Sequence, residues 1–116
     1  MRIGIRPTDS VKALRALEAV QPGGDALRAT LNVATGVLHA TLAPIEARRV
    51  GDVVARVREA LAALDGTCVV EHAPPDAMPG LDVWGDVGLA IEPMRRLKRE
   101  LDPASVLNPG RYVGGI

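Results

Sequence analysis

A chain of 116 residues with 47% hydrophobic and 24% charged residues has the make-up of one globular domain, long enough to bury roughly two-thirds of the surface its unfolded form exposes. Fourteen basic residues balance fourteen acidic ones, so no net field draws in nucleic acid or an anionic membrane, and the absence of Phe beside a single Trp and Tyr leaves no aromatic platform for bases. Cys68 stands alone, which excludes an internal disulfide and multi-cysteine metal motifs. No apolar run reaches the roughly 20 residues needed to span a bilayer, and Met1 to Pro7 lacks a signal-peptide core, so a soluble, cytoplasmic protein without membrane insertion is expected.

Met1 to Arg6 alternates Ile3 and Ile5 with Arg2, Gly4 and Arg6, the period of a half-buried strand that Pro7 ends. Asp9 or Ser10 can cap a first helix carrying Val11, Leu14, Leu17 and Val20, which closes near Gln21 before Pro22-Gly23-Gly24. Ala26 to Val33 sets Leu27, Ala29, Leu31 and Val33 against Arg28, Thr30 and Asn32. Val37 to Leu42 offers a second extended run, and Ala34-Thr35-Gly36 between them predicts a hairpin turn with Gly at positive φ. From Ile45, Val50, Val53, Val54, Val57, Leu61 and Leu64 recur at three and four. Arg48, Arg49, Asp52, Arg56, Arg58 and Glu59 are left to solvent, and Gly66 is the stop. Thr67 to Glu71 then reads as a fourth strand, bounded by Gly66 and Pro74-Pro75.

Strand, helix, strand, strand, helix, strand is the order of a ferredoxin-like α+β sandwich, with a four-stranded antiparallel sheet and two helices on one face. A single domain over 1–116 is expected, with a βαββαβ core over about 1–73 and a long loop, helix and tail over 74–116. The His72 to Val87 stretch, rich in Pro, Gly and Asp, is longer than ordinary connections. Beyond it Leu89, Met94, Leu97 and Leu101 mark a third helix that Pro93 begins or kinks.

That helix opens the most specific stretch: Met94-Arg95-Arg96-Leu97-Lys98-Arg99-Glu100-Leu101-Asp102-Pro103, three residues, then Leu107-Asn108-Pro109-Gly110-Arg111. It resembles the C-terminal end of FAD-linked oxidases of the vanillyl-alcohol oxidase type. Within that group, Asp82-Val83-Trp84-Gly85-Asp86 and the opening Ile3-Gly4-Ile5-Arg6-Pro7-Thr8-Asp9 look most like the FAD-binding subunit of glycolate oxidase. The resemblance implies a cap or substrate domain that closes over FAD carried by a separate flavin-binding domain, with a small 2-hydroxy acid such as glycolate as substrate. It also implies other oxidase subunits as partners.

No glycine-rich loop between a strand and a helix stands ready to cradle a pyrophosphate, since Gly23-Gly24 follows a helix and Gly114-Gly115 is terminal. FAD is therefore expected in the full-length protein and not on this stretch, which is not expected to be catalytic by itself. Related D-2-hydroxy-acid dehydrogenases carry a His-rich, Gly-Asp-Gly-containing motif that has no counterpart here, so no catalytic residue and no metal ligand are assigned.

Asn108, Gly110 and Arg111 are the candidates for contact with the flavin domain or an acidic substrate, Arg offering a two-pronged fit to carboxylate; the alternative is a turn that docks the tail. Trp84 lines a substrate pocket, anchors the flavin domain, or caps a local core. His39 and His72 lack a second ligand at metal spacing and read as structural, and Cys68 as core packing. Arg95, Arg96, Lys98 and Arg99 read as a solvated face flanked by Glu92, Glu100 and Asp102. Two other functions remain open: a module that assembles subunits of an oxidase complex, and a regulatory domain that binds a small ligand as a homodimer.

Overall fold

A computed structural model describes residues 1–20 and 27–116. The chain forms β1 (Arg2–Gly4), α1 (Ser10–Val20), β2 (Leu27–Asn32), β3 (Val37–Leu42), α2 (Ala47–Ala62), β4 (Thr67–Val69) and α3 (Ile91–Leu101). The expected end of the first helix near Gln21, the Pro22-Gly23-Gly24 break and the Ala26 start of the second strand lie outside the described residues. Contacts divide the chain into two compact units, Met1–Val83 and Trp84–Ile116.

In the first unit the strands run in the order β2-β3-β1-β4 with every neighbouring pair antiparallel, which is the ferredoxin-like α+β sandwich. Register follows the alternation of the sequence. Ile3 lies opposite both Leu38 and Cys68, and Leu31 opposite Leu38, so these side chains share the face that α1 and α2 cover. Leu17, Val57 and Leu61 close the core from the helices. Each fully buried Leu or Ile there contributes about 1.5–3 kcal/mol relative to exposure. The other sheet face carries Arg2, Thr30, His39, Thr41 and Val69, the intervening positions of the same registers.

The hairpin between β2 and β3 depends on two residues. Asn32 Oδ1 accepts the amides of Ala34 and Thr35 at 3.1 and 3.3 Å, an Asx-type turn. Gly36 has φ +67, and a Cβ there would stand 2.0 Å from the Ile5 carbonyl oxygen. The Ile5 amide donates to the Gly36 carbonyl at 2.9 Å, so this close approach extends the β1–β3 ladder into the turn.

Three local expectations need correction. The carboxylate of Asp9 accepts from Arg6 Nε (2.8 Å) and Lys12 Nζ (3.1 Å), and Ser10 Oγ donates to the Pro7 carbonyl at 2.6 Å, so the two expected capping side chains bond elsewhere. Lys12 holds the Asp9 carboxyl below its ordinary value, Arg6 assisting and burial opposing. At the end of α2 the left-handed residue is Asp65 (φ 51), not Gly66. Gly66 is suited to its place by space, because a Cβ there would lie 3.0 Å from Leu61 Cβ. Arg58, expected in solvent, instead donates to the Cys68 carbonyl from Nε (3.2 Å) and Nη2 (3.1 Å), and to the Asp82 carbonyl at 2.9 Å.

The stretch after β4 is packed rather than loose. Val70 donates to the Val83 carbonyl at 2.7 Å, a short 3-10 turn covers Pro75–Ala77, and Val50, Val54, Val70 and Ala77 form a small second core. Among the described residues no helix is long and apolar enough to cross a membrane.

Candidate functional site

The second unit holds all four residues singled out for contact with cofactor, substrate or partner. Its scaffold is α3, which Pro93 enters in the first turn, where a missing amide costs nothing. No residue of α3 is buried, and Leu97 and Leu101 are 59% and 74% exposed. The expected apolar face therefore exists, extended by Leu89 just ahead of the helix, yet it lies open to solvent.

Asp102 ends this helix and organises the loop beyond it. It is buried, and its carboxylate accepts from Lys98 Nζ (2.5 Å), the Val106 amide (3.0 Å) and the Leu107 amide (3.0 Å). Lys98 donates a second bond to the Leu107 carbonyl at 2.7 Å. A carboxylate that accepts from an ammonium and two amides is strongly favoured in its charged form. The Lys98 bond, then the Leu107 amide, bring it down to about 2, with burial opposing. The sequence showed Asp102 as part of the family-like stretch and as a flanking charge, not as a hub; the signal available was an Asp at a helix end followed by a short loop, Pro103 to Leu107, whose amides its carboxylate can reach.

Held by that hub, Asn108 turns the chain with φ 47 and its carbonyl accepts the Arg111 amide at 3.1 Å, while Gly110 follows at φ +70. Asn108, Gly110 and Arg111 are all exposed. Gly110 and Pro109 border a cavity of about 350 Å³ whose other walls include Arg95, Lys98, Arg99 and Ser105. Arg95 is engaged with Glu92 at 2.8 Å and Lys98 with Asp102. Trp84 Nε1 donates to the Arg111 carbonyl at 3.2 Å, and its ring meets Tyr112 edge-on with centroids 5.5 Å apart. The structure thus brings Trp84 to the same turn as Asn108, Gly110 and Arg111, a convergence that distance along the sequence concealed. Asn, Pro, Gly and Arg supply no nucleophile or base, so the chemistry open to this turn is binding and orientation.

In the first unit, His39 Nδ1 and Arg2 Nε each lie 3.6 Å from a different oxygen of Glu71, and His39, Glu71 and His72 border one cavity of about 500 Å³. Cys68 is buried on β4, and burial pushes its thiol up, as expected of a packing residue. Among the described residues no group of three or more His, Cys, Asp and Glu could hold a metal ion.

A dinucleotide pyrophosphate needs free amides at a glycine-rich helix start. The first unit has two strand-to-helix junctions. One contains Pro7 and the engaged carboxylate of Asp9; the other contains Pro44 and Glu46, which stands at the N-cap of α2. A carboxylate at each repels phosphate, and neither junction offers a glycine. Neither of these two junctions fits the pyrophosphate of FAD.

Residues 32–112 match the family described as FAD linked oxidases, C-terminal domain. The protein named "Probable D-lactate dehydrogenase, mitochondrial" from Danio rerio is 40% identical over 69 residues. That match covers 59% of this chain and 14% of the relative. No solved structure matches the chain.

Proposed function

The chain belongs to the FAD linked oxidases, C-terminal domain family, and from that premise we propose that it serves as the cap and substrate-side domain of an FAD-dependent 2-hydroxy-acid oxidoreductase. Hydride acceptance belongs to the flavin, which is carried on another domain. The observation that carries this reading is that the family match runs on through the second unit to Tyr112, and so includes the Asp102-organised turn that presents Asn108, Gly110 and Arg111. Its exposed guanidinium suits either the carboxylate of a 2-hydroxy acid or an acidic group of the flavin domain. The relative's name gives D-lactate, itself a 2-hydroxy acid. The Asp82-Val83-Trp84-Gly85-Asp86 segment and the opening strand favour the FAD-binding subunit of glycolate oxidase, and hence glycolate.

Joined to a flavin domain of this family, the chain should permit anaerobic bleaching of the flavin by glycolate or D-lactate. Arg111→Ala and Asn108→Ala should each slow bleaching by about tenfold or more, the scale of loss when a positioned contact is removed. Unchanged rates in both variants would remove the turn from the site. A second reading, docking to other oxidase subunits, is supported by the open apolar face of α3, and a mapped interface there away from the flavin would select it.

A further inference from the structure

The two edges of the sheet in the first unit are finished differently. At the β4 edge the outward backbone groups are taken: the Cys68 carbonyl accepts from Arg58 Nε at 3.2 Å and Nη2 at 3.1 Å, and the Val70 amide donates to the Val83 carbonyl at 2.7 Å. At the β2 edge the ladder itself shows which groups point outward. Ala40 donates its amide to the Met1 carbonyl at 2.9 Å and so faces β1. Backbone groups alternate along an antiparallel strand, so His39 and Thr41 face β2 and exchange bonds with Thr30 and Arg28, their partners in register. That leaves Leu27, Ala29 and Leu31 with amides and carbonyls aimed away from the sheet, and among the described residues nothing bonds to them there.

Exposed edges are commonly blunted by a proline, a bulge, a very short strand or a charge turned inward. β2 has none of these. It runs for six residues in unbroken register with β3, and its one charge, Arg28, lies on the sheet face away from the helices. The core also stops short here. Ala29 lies opposite buried Ala40 on the helix-covered face and is nonetheless exposed, while Leu27 and Leu31, which pack against the core, are only half-buried.

We propose that β2 is the docking edge for a second copy of this chain, the two β2 strands pairing antiparallel about a twofold axis that passes through Ala29 normal to the sheet. The partner is a second copy because β2 is complementary to itself. In this register Ala29 meets its own counterpart and Leu27 meets the counterpart of Leu31. These are the residues whose backbone groups point outward, so each such pair exchanges both of its bonds. Their side chains lie on the helix-covered face, and the alanines and leucines carry the core across the axis. On the opposite face Arg28 meets the counterpart of Thr30, whose hydroxyl accepts from a guanidinium. Moving the axis to Arg28 would set two guanidinium groups against each other, and like charges directly opposite are unfavourable.

The test is sedimentation velocity on the 116-residue chain over a range of concentrations, with amide hydrogen exchange by NMR at the two extremes. An edge of this size gives a weak dimer, so association should be visible below about 1 mM and reverse on dilution. The Ala29 and Leu31 amides should exchange at least about threefold more slowly in the concentrated sample, while Leu38, inside the sheet, is unaltered. Thr30→Glu sets a carboxylate opposite Arg28 on both sides of the axis and should tighten the dimer by about threefold or more, whereas Thr30→Arg should weaken it by as much. Ala29→Pro removes an outward amide that no bond within the chain uses and should abolish association while the circular dichroism spectrum is kept. The Thr30 variants leave the backbone untouched and decide the matter should the proline variant not fold. A chain that stays monomeric up to about 1 mM would overturn the proposal. So would a dimer of equal strength in both Thr30 variants, because another face would then hold it.

Discussion

Replacing Arg58 with Met keeps the aliphatic stem against α2 and removes only the guanidinium, which isolates what that group holds together. It delivers two bonds to the carbonyl of buried Cys68, one to the carbonyl of Asp82 and one to the Asp82 carboxylate at 3.2 Å. Hydrogen bonds from a charged donor are worth about 1.5–3 kcal/mol, and the Cys68 carbonyl is left with a lost partner inside the unit. The side-chain pair is a different matter: Asp82 is 63% exposed, so the ion pair itself is worth about 0–1 kcal/mol. Arg58→Met should therefore destabilise the chain by about 2–3 kcal/mol, and Asp82→Asn by less than about 1 kcal/mol. Urea titration followed by far-UV circular dichroism is the assay, since urea leaves ion pairs unscreened and an unaltered slope confirms that the same surface unfolds. Equal losses in the two variants, or a loss below about 1 kcal/mol for Arg58→Met, would show that carbonyl bridging is not what ties Asp82 to β4.

Gly36→Ala should cost about 3 kcal/mol, combining the left-handed penalty with loss of the Ile5–Gly36 bond, whereas Gly80→Ala, at φ +75 with open space around it, should cost only about 1–2 kcal/mol; similar melting temperatures for the two would refute the close-approach argument. Asp102 has a folded value lowered to about 2 from an ordinary 3.8, so its stabilisation is fully present above 3.8 and is lost as pH falls toward 2. The melting temperature should drop across that window, less steeply in Asp102→Asn, and a carboxyl carbon titrating near 4 in NMR would refute the hub.

The sheet and both core helices were legible because alternation and three-four spacing report burial directly: Ile3, Leu38, Val53, Val57 and Leu61 are buried as the pattern requires. Polar residues were harder, because hydropathy assigns them to water by default. Arg58 sits on the expected wet side of α2, but its side chain is long enough to reach carbonyls of β4 and of the following segment, a contact that no local pattern encodes. Asp9 misled for a related reason. A carboxylate before a helix is a good cap in general, but here Arg6 and Lys12 stand within three residues on either side and take its oxygens first. The convergence of Trp84 with Arg111 is a contact 27 residues apart and was legible only as two separate candidates.

The residues that made the family recognisable occupy the unit with the least core of its own. Between Trp84 and Ile116 only Asp102 and Val113 are buried, while Leu97, Leu101, Leu107 and Tyr112 are each more than half exposed. An apolar core cannot be what selects the Leu107-Asn108-Pro109-Gly110-Arg111 sequence in this unit. The bonds that shape it come from Asp102, Lys98 and the Trp84 indole, and these fix a backbone turn while leaving the Asn108 and Arg111 side chains at the surface. A turn built to hold backbone in place and side chains outward is suited to recognition. The apolar residues around it supply area that a docked domain would cover, as the proposed cap role calls for.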